Sequence, residues 1–417
     1  MSTEIKKETR ESWKTPTVMG TLAVVILVFF GILGKPESVA FELTGVREAI
    51  QLPNIDVPSN VLGIASGILL LAIAGFVAWQ VAKNVRSSIW LSILFGAIAL
   101  VALLGWLAGG SVVPVAFILG SALVLAVPII LGAMAGVMSE RVGVVNIAIE
   151  GQLLTGAFMA SVVSTLTGNQ IIGIISAMIT AALFSAVLAV FAIRFLAQQI
   201  IVGVVLNVLA IGITNFLYQQ WVTEDESATN SPGTLPIIHI PFLGDIPIIG
   251  PVLFQNRITV WITIAIVIVL WFVLFKTKLG LRARAVGENP LAADTVGINV
   301  GRTRFWWVTL GGLLAGLGGA ALTIGSSGSF GREMSGGLGF IALAVVILGR
   351  WHPGYATAAA LLFGFSIILR VWANQVSPGI PTNFITMVPY IVTIIAVVGF
   401  VGRSRPPAAD GIPYVKG

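Results

Sequence analysis

The side chain least at home in its surroundings is Glu150, which stands in VGVVNIAIEGQLLTGAF (142–158), a stretch that otherwise avoids water. An ionised group at the middle of such a stretch costs at least ~2.5–3.5 kcal/mol on insertion scales, so it requires a partner or a function. Asn146 precedes Glu150 by one helical turn and shares its face, whereas Gln152 points to the other side. Asn207, and Thr214 with Asn215, interrupt the next apolar stretch but one. Taken singly, such amides hold membrane helices together, at ~0.6–2 kcal/mol each. Taken together, Asn146, Gln152 and Asn207 form a set of donors and acceptors suited to a hydroxylated or heterocyclic solute. Glu150 either lines or gates a polar path, or pairs with Arg141 or caps a neighbouring helix. Further on, GSSGSFGR (325–332) frees backbone groups that protein, water or solute must satisfy. Ser327 is a candidate lining residue there, and Phe330 either stacks on a flat ring or packs.

Other chemistries find no support. There is no cysteine to serve as nucleophile or thiolate ligand, and only His239 and His352 are available for imidazole chemistry. Paired carboxylates and an activated nucleophile are not visible, so the chain does not read as an enzyme. No GxxxxGK[ST] pattern occurs, so ATP and Mg would have to be bound elsewhere than on this chain.

The elements that must position these residues are membrane helices. Of 417 residues 57% are hydrophobic and 10% charged, with a mean hydropathy of +1.01. Soluble domains carry about 45–50% apolar and about 25% charged residues. A span needs about 20 apolar residues, which predicts an all-α, polytopic protein with twelve candidates: 17–33, 61–81, 88–108, 113–138, 144–166, 171–193, 200–222, 258–275, 305–325, 338–349, 354–373 and 384–402. The stretch 338–349 is too short to span alone and reads also as a re-entrant or broken helix. Lys6, Lys7, Arg10 and Lys14 precede the first stretch, whose length favours an uncleaved anchor over a signal peptide. With both termini cytoplasmic, only Lys35, Arg47, Arg257, Arg332 and Arg370 of the 23 basic residues fall outside. The net charge of +6 thus belongs to inner loops, and no nucleic-acid partner is expected.

Residues 1–112 hold three spans almost free of polar groups, and the core domain is expected at 113–417. Outer loops at 34–60 and 223–257 carry eight of the 17 acidic residues. The longest inner loop, 276–304, contains a short helix with readable ends: Asn289 caps it, Pro290 suits its first position, 291–296 form its body and Gly297 stops it. It is either a rigid knob for another protein or a helix lying on lipid phosphates. Gly311, Gly312, Gly316, Gly318 and Gly319 give one span a smooth face for close packing. A short likeness between IAIEG (147–151) and IALA (341–344) hints at an inverted repeat.

SERVGVVNIAIEGQLLTGAF (139–158), LNVLAIGITNF (206–216), LGLRARAVGENPLAADTVGINV (279–300) and GGLGFIALAVVILGRWHPG (336–354) resemble the permease subunits of bacterial ABC importers for nucleosides and related simple sugars. These systems work with a basic-membrane-protein type lipoprotein receptor, and the resemblance covers about 113–402. It implies a type II importer fold in the bacterial cytoplasmic membrane. Two permeases, usually different homologous chains, would sit on two cytoplasmic ATPases that bind ATP and Mg, with an extracellular lipoprotein delivering a nucleoside-like solute. It implies that 280–300 is the coupling helix, placing Arg284, Glu288, Asn289, Pro290, Asp294 and Gly297 at the ATPase. The three extra spans at 1–112 depart from the usual shorter pattern. The competing expectation is an ion-coupled secondary carrier of a small polar solute, for which Glu150 would be the ion-binding carboxylate.

Overall fold

A computed structural model describes residues 13–34, 36–45, 48, 50–85, 87–376, 387 and 405–416. They form α1 (Lys14–Val25), α2 (Ser59–Ala82), α3 (Ile89–Leu107), α4 (Val115–Glu140), α5 (Ile149–Thr167), α6 (Gln170–Ile193), α7 (Gln199–Leu217), α8 (Glu226–Thr229), α9 (Ile258–Lys276), α10 (Lys278–Glu288), α11 (Pro290–Thr295), α12 (Val300–Leu322), α13 (Leu338–Leu348) and α14 (Pro353–Val376). Short strands are β1 (Ser38–Glu42), β2 (Ile55–Pro58), β3 (Val112–Pro114), β4 (Ile237–His239) and β5 (Gln255–Arg257). Wider turns prolong α1 to Ile32, α7 to Val222 and α12 to Ser327.

Among the described residues ten helices are long and apolar enough to cross a membrane, each on one of the expected spans. The twelfth expected span, 384–402, lies outside the described residues apart from Met387. The tenth is α13, whose 11 residues reach only about 16 Å, half a bilayer.

Two compact units divide the chain. The first comprises Met1–Phe117, Asp245–Ile248 and Arg370–Met387. Met19, Ala23 and Ile26 of the first helix interlock there with Leu70, Ile73 and Val77 of α2 and Phe95 of α3. β1 runs antiparallel to β2, with Ser38 opposite Pro58, and parallel to β3, with Ala40 opposite Val112. This sheet, and the β4–β5 hairpin of the second unit, correct the all-α expectation. Both lie in segments between spans, where Val, Ile and Phe recur without a helical period and extended backbone still needs hydrogen-bond partners.

The second unit comprises Ile118–Gly244, Ile249–Leu369 and Val388–Gly417. At its centre α12 packs between α5 and α6, and the expected smooth face is what allows it. A Cβ on Gly316 would lie 2.3 Å from the Ala177 carbonyl oxygen of α6, and one on Gly319 would lie 2.2 Å from that of Leu153 on α5. Without side chains at these positions the backbones come into direct contact, which gives the dispersion attraction that holds helices together where lipid is as apolar as leucine. A second layer joins α4, α9, α13 and α14 through Ile130, Met134, Leu274, Val345, Val346 and Phe363.

One boundary differs in a way that matters. Helix was expected from 144, but residues 141–148 are irregular and α5 starts at Ile149. Ile149 packs beside Gly132 and Gly136 of α4, so α5 begins about one to two turns short of the level at which α4 ends. The link 141–148 therefore runs back alongside α4 as non-helical chain, which at membrane depth is tolerated only when protein groups satisfy it.

Candidate functional site

Those protein groups are the amides noted in the sequence. The first turn of a helix has unpaired N–H groups. In α5, Asn207 of α7 supplies the missing partner: its Oδ1 accepts from the Gly151 N–H at 2.8 Å, while its Nδ2 donates to the Ile147 carbonyl at 2.9 Å. Gln199 accepts from the Val145 N–H at 2.7 Å. Asn146 and Gln152 bond each other reciprocally at 3.2 and 3.3 Å, and both are fully buried.

Glu150 completes this node by capping a helix elsewhere in the chain. Its carboxylate accepts from Ser335 Oγ at 2.6 Å, from the Gly337 N–H at 2.8 Å and from the Gly339 N–H at 2.6 Å. These are the entry groups of α13, whose positive dipole end favours an anion. Gly337 enters with φ +87°, a left-handed conformation suited to glycine. A Cβ on Gly339 would lie 2.3 Å from the Glu150 nitrogen, so the two helix starts meet in close contact. Of the two local roles expected for Glu150, the cap is the one present. Arg141 instead donates its Nε–H to the Trp351 carbonyl at 2.8 Å. Asn146, Glu150, Gln152 and Asn207 are thus brought together, each bonded to protein groups.

Ser327 and Phe330 lie elsewhere. Phe330 meets Phe158 edge to face with centroids 5.2 Å apart, and Phe158 sits about 12 Å along α5 from Glu150. Phe330 is 2% exposed, and Tyr218 covers it at 5.9 Å, so it packs rather than offering an open face. Its backbone is clamped by Asn230, which accepts from the Phe330 N–H at 2.8 Å and donates to the Phe330 carbonyl at 3.0 Å. Asn230 also accepts from Ser161 at 2.6 Å. Sequence reasoning missed this buried asparagine because it sits in a polar loop where asparagine is ordinary. Ser327 is exposed, its hydroxyl within reach of the Leu322 and Ser329 carbonyls.

At the opposite end of the second unit the expected short helix is present. Asn289 accepts from the Ala292 N–H at 3.0 Å, Pro290 takes the first position and Gly297 ends the helix with φ +82°. The body ends at Thr295, one residue earlier than expected. A second helix, α10, precedes it: Thr277 caps it by accepting from the Gly280 N–H, and a Cβ on Gly287 would lie 2.2 Å from the Arg141 carbonyl oxygen. It is amphipathic but poor in apolar residues, so a search for long apolar stretches passes over it. Arg284 lies over the Phe275 ring at 5.2 Å, Glu288 and Asn289 are exposed, and Asp294 faces Lys416 at 3.7 Å. Leu291 and Val296 project into solvent, 64% and 74% exposed. Beside this pair of helices Arg304, 2% exposed, donates to the Ile412 carbonyl at 2.9 Å. Burial pushes the neighbouring Asp410 carboxyl up to about 7, against the opposing influence of the Gly411 N–H and Arg304.

The ten membrane-length helices among the described residues agree with what comparison finds. A family described as branched-chain amino acid transport system / permease component matches residues 118–397. The chain belongs to this permease family. The guanosine ABC transporter permease protein NupQ of Bacillus subtilis is 41% identical over 72% of this chain and 97% of its own length. The nucleoside ABC transporter permease protein NupC of Lactococcus lactis is 40% identical over 72% and 96%. The putative glucose ABC transporter permease protein TsgC13 of Haloferax volcanii is 35% identical over 61% and 77%. No solved structure matches. The chain is a multi-pass ABC permease subunit, and it is not itself an enzyme.

Proposed function

We propose that this permease carries nucleosides into a bacterial cell across the cytoplasmic membrane, with nucleobases and simple sugars as the neighbouring solute classes. The observation that carries the reading is the likeness to the guanosine permease over 97% of that protein's length. In this reading twelve spans place both termini in the cytoplasm, and 113–417 form the transporting core. A cytoplasmic ATPase binding ATP and Mg grips α11 through Leu291 and Val296, with Arg284, Glu288, Asn289, Pro290, Asp294 and Gly297 shaping the socket. A second homologous permease completes the path, and a lipoprotein receptor delivers solute from outside. The node of Asn146, Glu150, Gln152 and Asn207 borders the path as its fixed wall. The two helix starts joined there can move only as a pair. Ser327 and Phe330 belong to the opposite mouth.

An ion-coupled carrier is not favoured, because its one acidic candidate, Glu150, is engaged by three donors of the α13 entry. The test is reconstitution of the permeases with their ATPase and receptor in vesicles, followed with tritiated guanosine. Uptake should require ATP and should vanish in the Leu291→Ser, Val296→Ser double variant at unchanged membrane abundance. Uptake driven by an ion gradient with no ATPase present would overturn the reading.

A further inference from the structure

The segment 405–416 returns beneath α10, α11 and α12. Its residue Ala409 donates its N–H to the Gly287 carbonyl of α10 at 2.9 Å, and the Ala408 N–H reaches the Glu288 carboxylate at 3.3 Å. On α11, Asp294 accepts a hydrogen bond from the Tyr414 hydroxyl and faces the Lys416 ammonium. On α12, the buried Arg304 holds the Ile412 carbonyl. The same segment also touches the irregular link. A Cβ on Gly143 would lie 2.8 Å from the Ala409 carbonyl oxygen, and one on Gly411 would lie 3.5 Å from Val145. One stretch of chain thus joins the two helices before α12, α12 itself, and the link whose far end carries Asn146 and leads into Glu150.

The physical need for such a tie is plain. α11 has six residues, too few to be stable as an isolated helix. It is flanked by non-helical residues at Asn289 and by the left-handed Gly297. A push on its exposed Leu291 and Val296 would be absorbed in those joints unless something fastened the helix to the bundle. Coupling between sites is carried by contiguous packed and hydrogen-bonded groups, and the segment 405–416 supplies them. We propose that 405–416 is a transmission strap that makes α10, α11 and the 141–148 link move as one body when the ATPase acts. This rests on the importer reading above.

The experiment compares three forms of the full assembly, scored as guanosine taken up per ATP hydrolysed. Ending the chain after Ser404, or Ala409→Pro, should leave membrane abundance and ATPase association intact and lower that ratio at least about tenfold, because the stroke no longer reaches the link. Ala409→Pro removes the N–H donated to Gly287 and strains the turn closed by the Asp410 N–H on the Pro407 carbonyl. The third form, Tyr414→Phe with Lys416→Met, frees Asp294 of α11 from the strap without altering the backbone or any residue of the ATPase socket, and should lower the ratio at least about threefold. Should the shortened chain be lost from the membrane, Ala409→Pro and this third form decide. A wild-type ratio in any form that reaches the membrane with its ATPase overturns the proposal. A wild-type assembly with no ATP-driven uptake overturns instead the importer reading beneath it.

Discussion

Glu150 shows how a charged residue can be at home in a membrane helix when protein donors meet its charge. Hydrogen bonds to a charged group are worth about 1.5–3 kcal/mol each, and its carboxylate receives three. Glu150→Ala should therefore destabilise the permease by about 3 kcal/mol or more. Glu150→Gln, which keeps one acceptor oxygen, should fall between the two. Thermal unfolding in detergent measures this, and uptake per membrane-embedded copy should change far less than abundance. Full abundance with abolished uptake would instead make Glu150 a path residue. Asp410 offers the complementary case of a carboxyl that prefers its proton. Arg304 from α12 and the carboxylate of Glu140 from α4 face it, and burial dominates. With its folded value raised to about 7 above an ordinary 3.8, the native state holds more protons than the unfolded state between those values. Stability must then fall as pH rises from about 4 to 7 and level off above, the reverse of an ion-paired carboxylate. Asp410→Asn should flatten that slope and gain most over wild type near pH 8, read as the difference in Tm across a pH series. A wild-type slope that survives the substitution would assign it to another group.

At the scale of elements, the helices were readable and their junctions were not. Ten spans followed from apolar length alone, since a bilayer leaves the backbone no alternative to helix. The α11 knob followed from Asn289, Pro290 and Gly297, because capping chemistry is local. Nothing local marks where α5 begins. Residues 144–148 are as apolar as the helix they precede, and the groups that satisfy them, Gln199 and Asn207, come from α7. The pairing of Glu150 with Ser335–Gly339 spans nearly half the chain, so sequence could offer a cap or an ion pair but not choose between them. The glycine face of α12 was legible as a tendency, and its partners on α5 and α6 were not. That face yields a sharp test. Gly319→Ala places a methyl against backbone on α5 and should lower membrane abundance several-fold, as overpacking costs about 1–3 kcal/mol or more. Gly212→Ala on α7, where a Cβ meets nothing within 4 Å, should be harmless or mildly stabilising, and quantitative immunoblotting of the two separates packing from helix propensity. Equal loss in both would mean that the α5–α12 approach is looser than the bonding distances require.

At the scale of the whole molecule, the question is what the first three helices add. The family match starts at residue 118, and the Bacillus permease aligns over 97% of its length while leaving more than a quarter of this chain without a counterpart. A related permease therefore has no equivalent of most of the first unit. That unit has an apolar core of its own, in which α1, α2 and α3 interlock through Met19, Leu70 and Phe95 and Phe30 stacks on Trp106. Its largest element, α2, exposes Ile68, Leu69, Phe76 and Trp79, an outward apolar face that suits lipid. The chemistry-bearing side chains described above, from Asn146 to Phe330 and from Arg284 to Asp410, all belong to the second unit. Units with separate cores tolerate separation. Deleting residues 2–112 should consequently leave a chain that inserts, binds its ATPase and retains ATP-driven guanosine uptake within about threefold of full length. The measurement is uptake normalised to membrane-embedded protein, paired with co-purification of the ATPase. If insertion and ATPase binding survive while uptake is lost, the extra helices take part in the transport cycle, and the transporting core extends beyond the region shared with the shorter permeases.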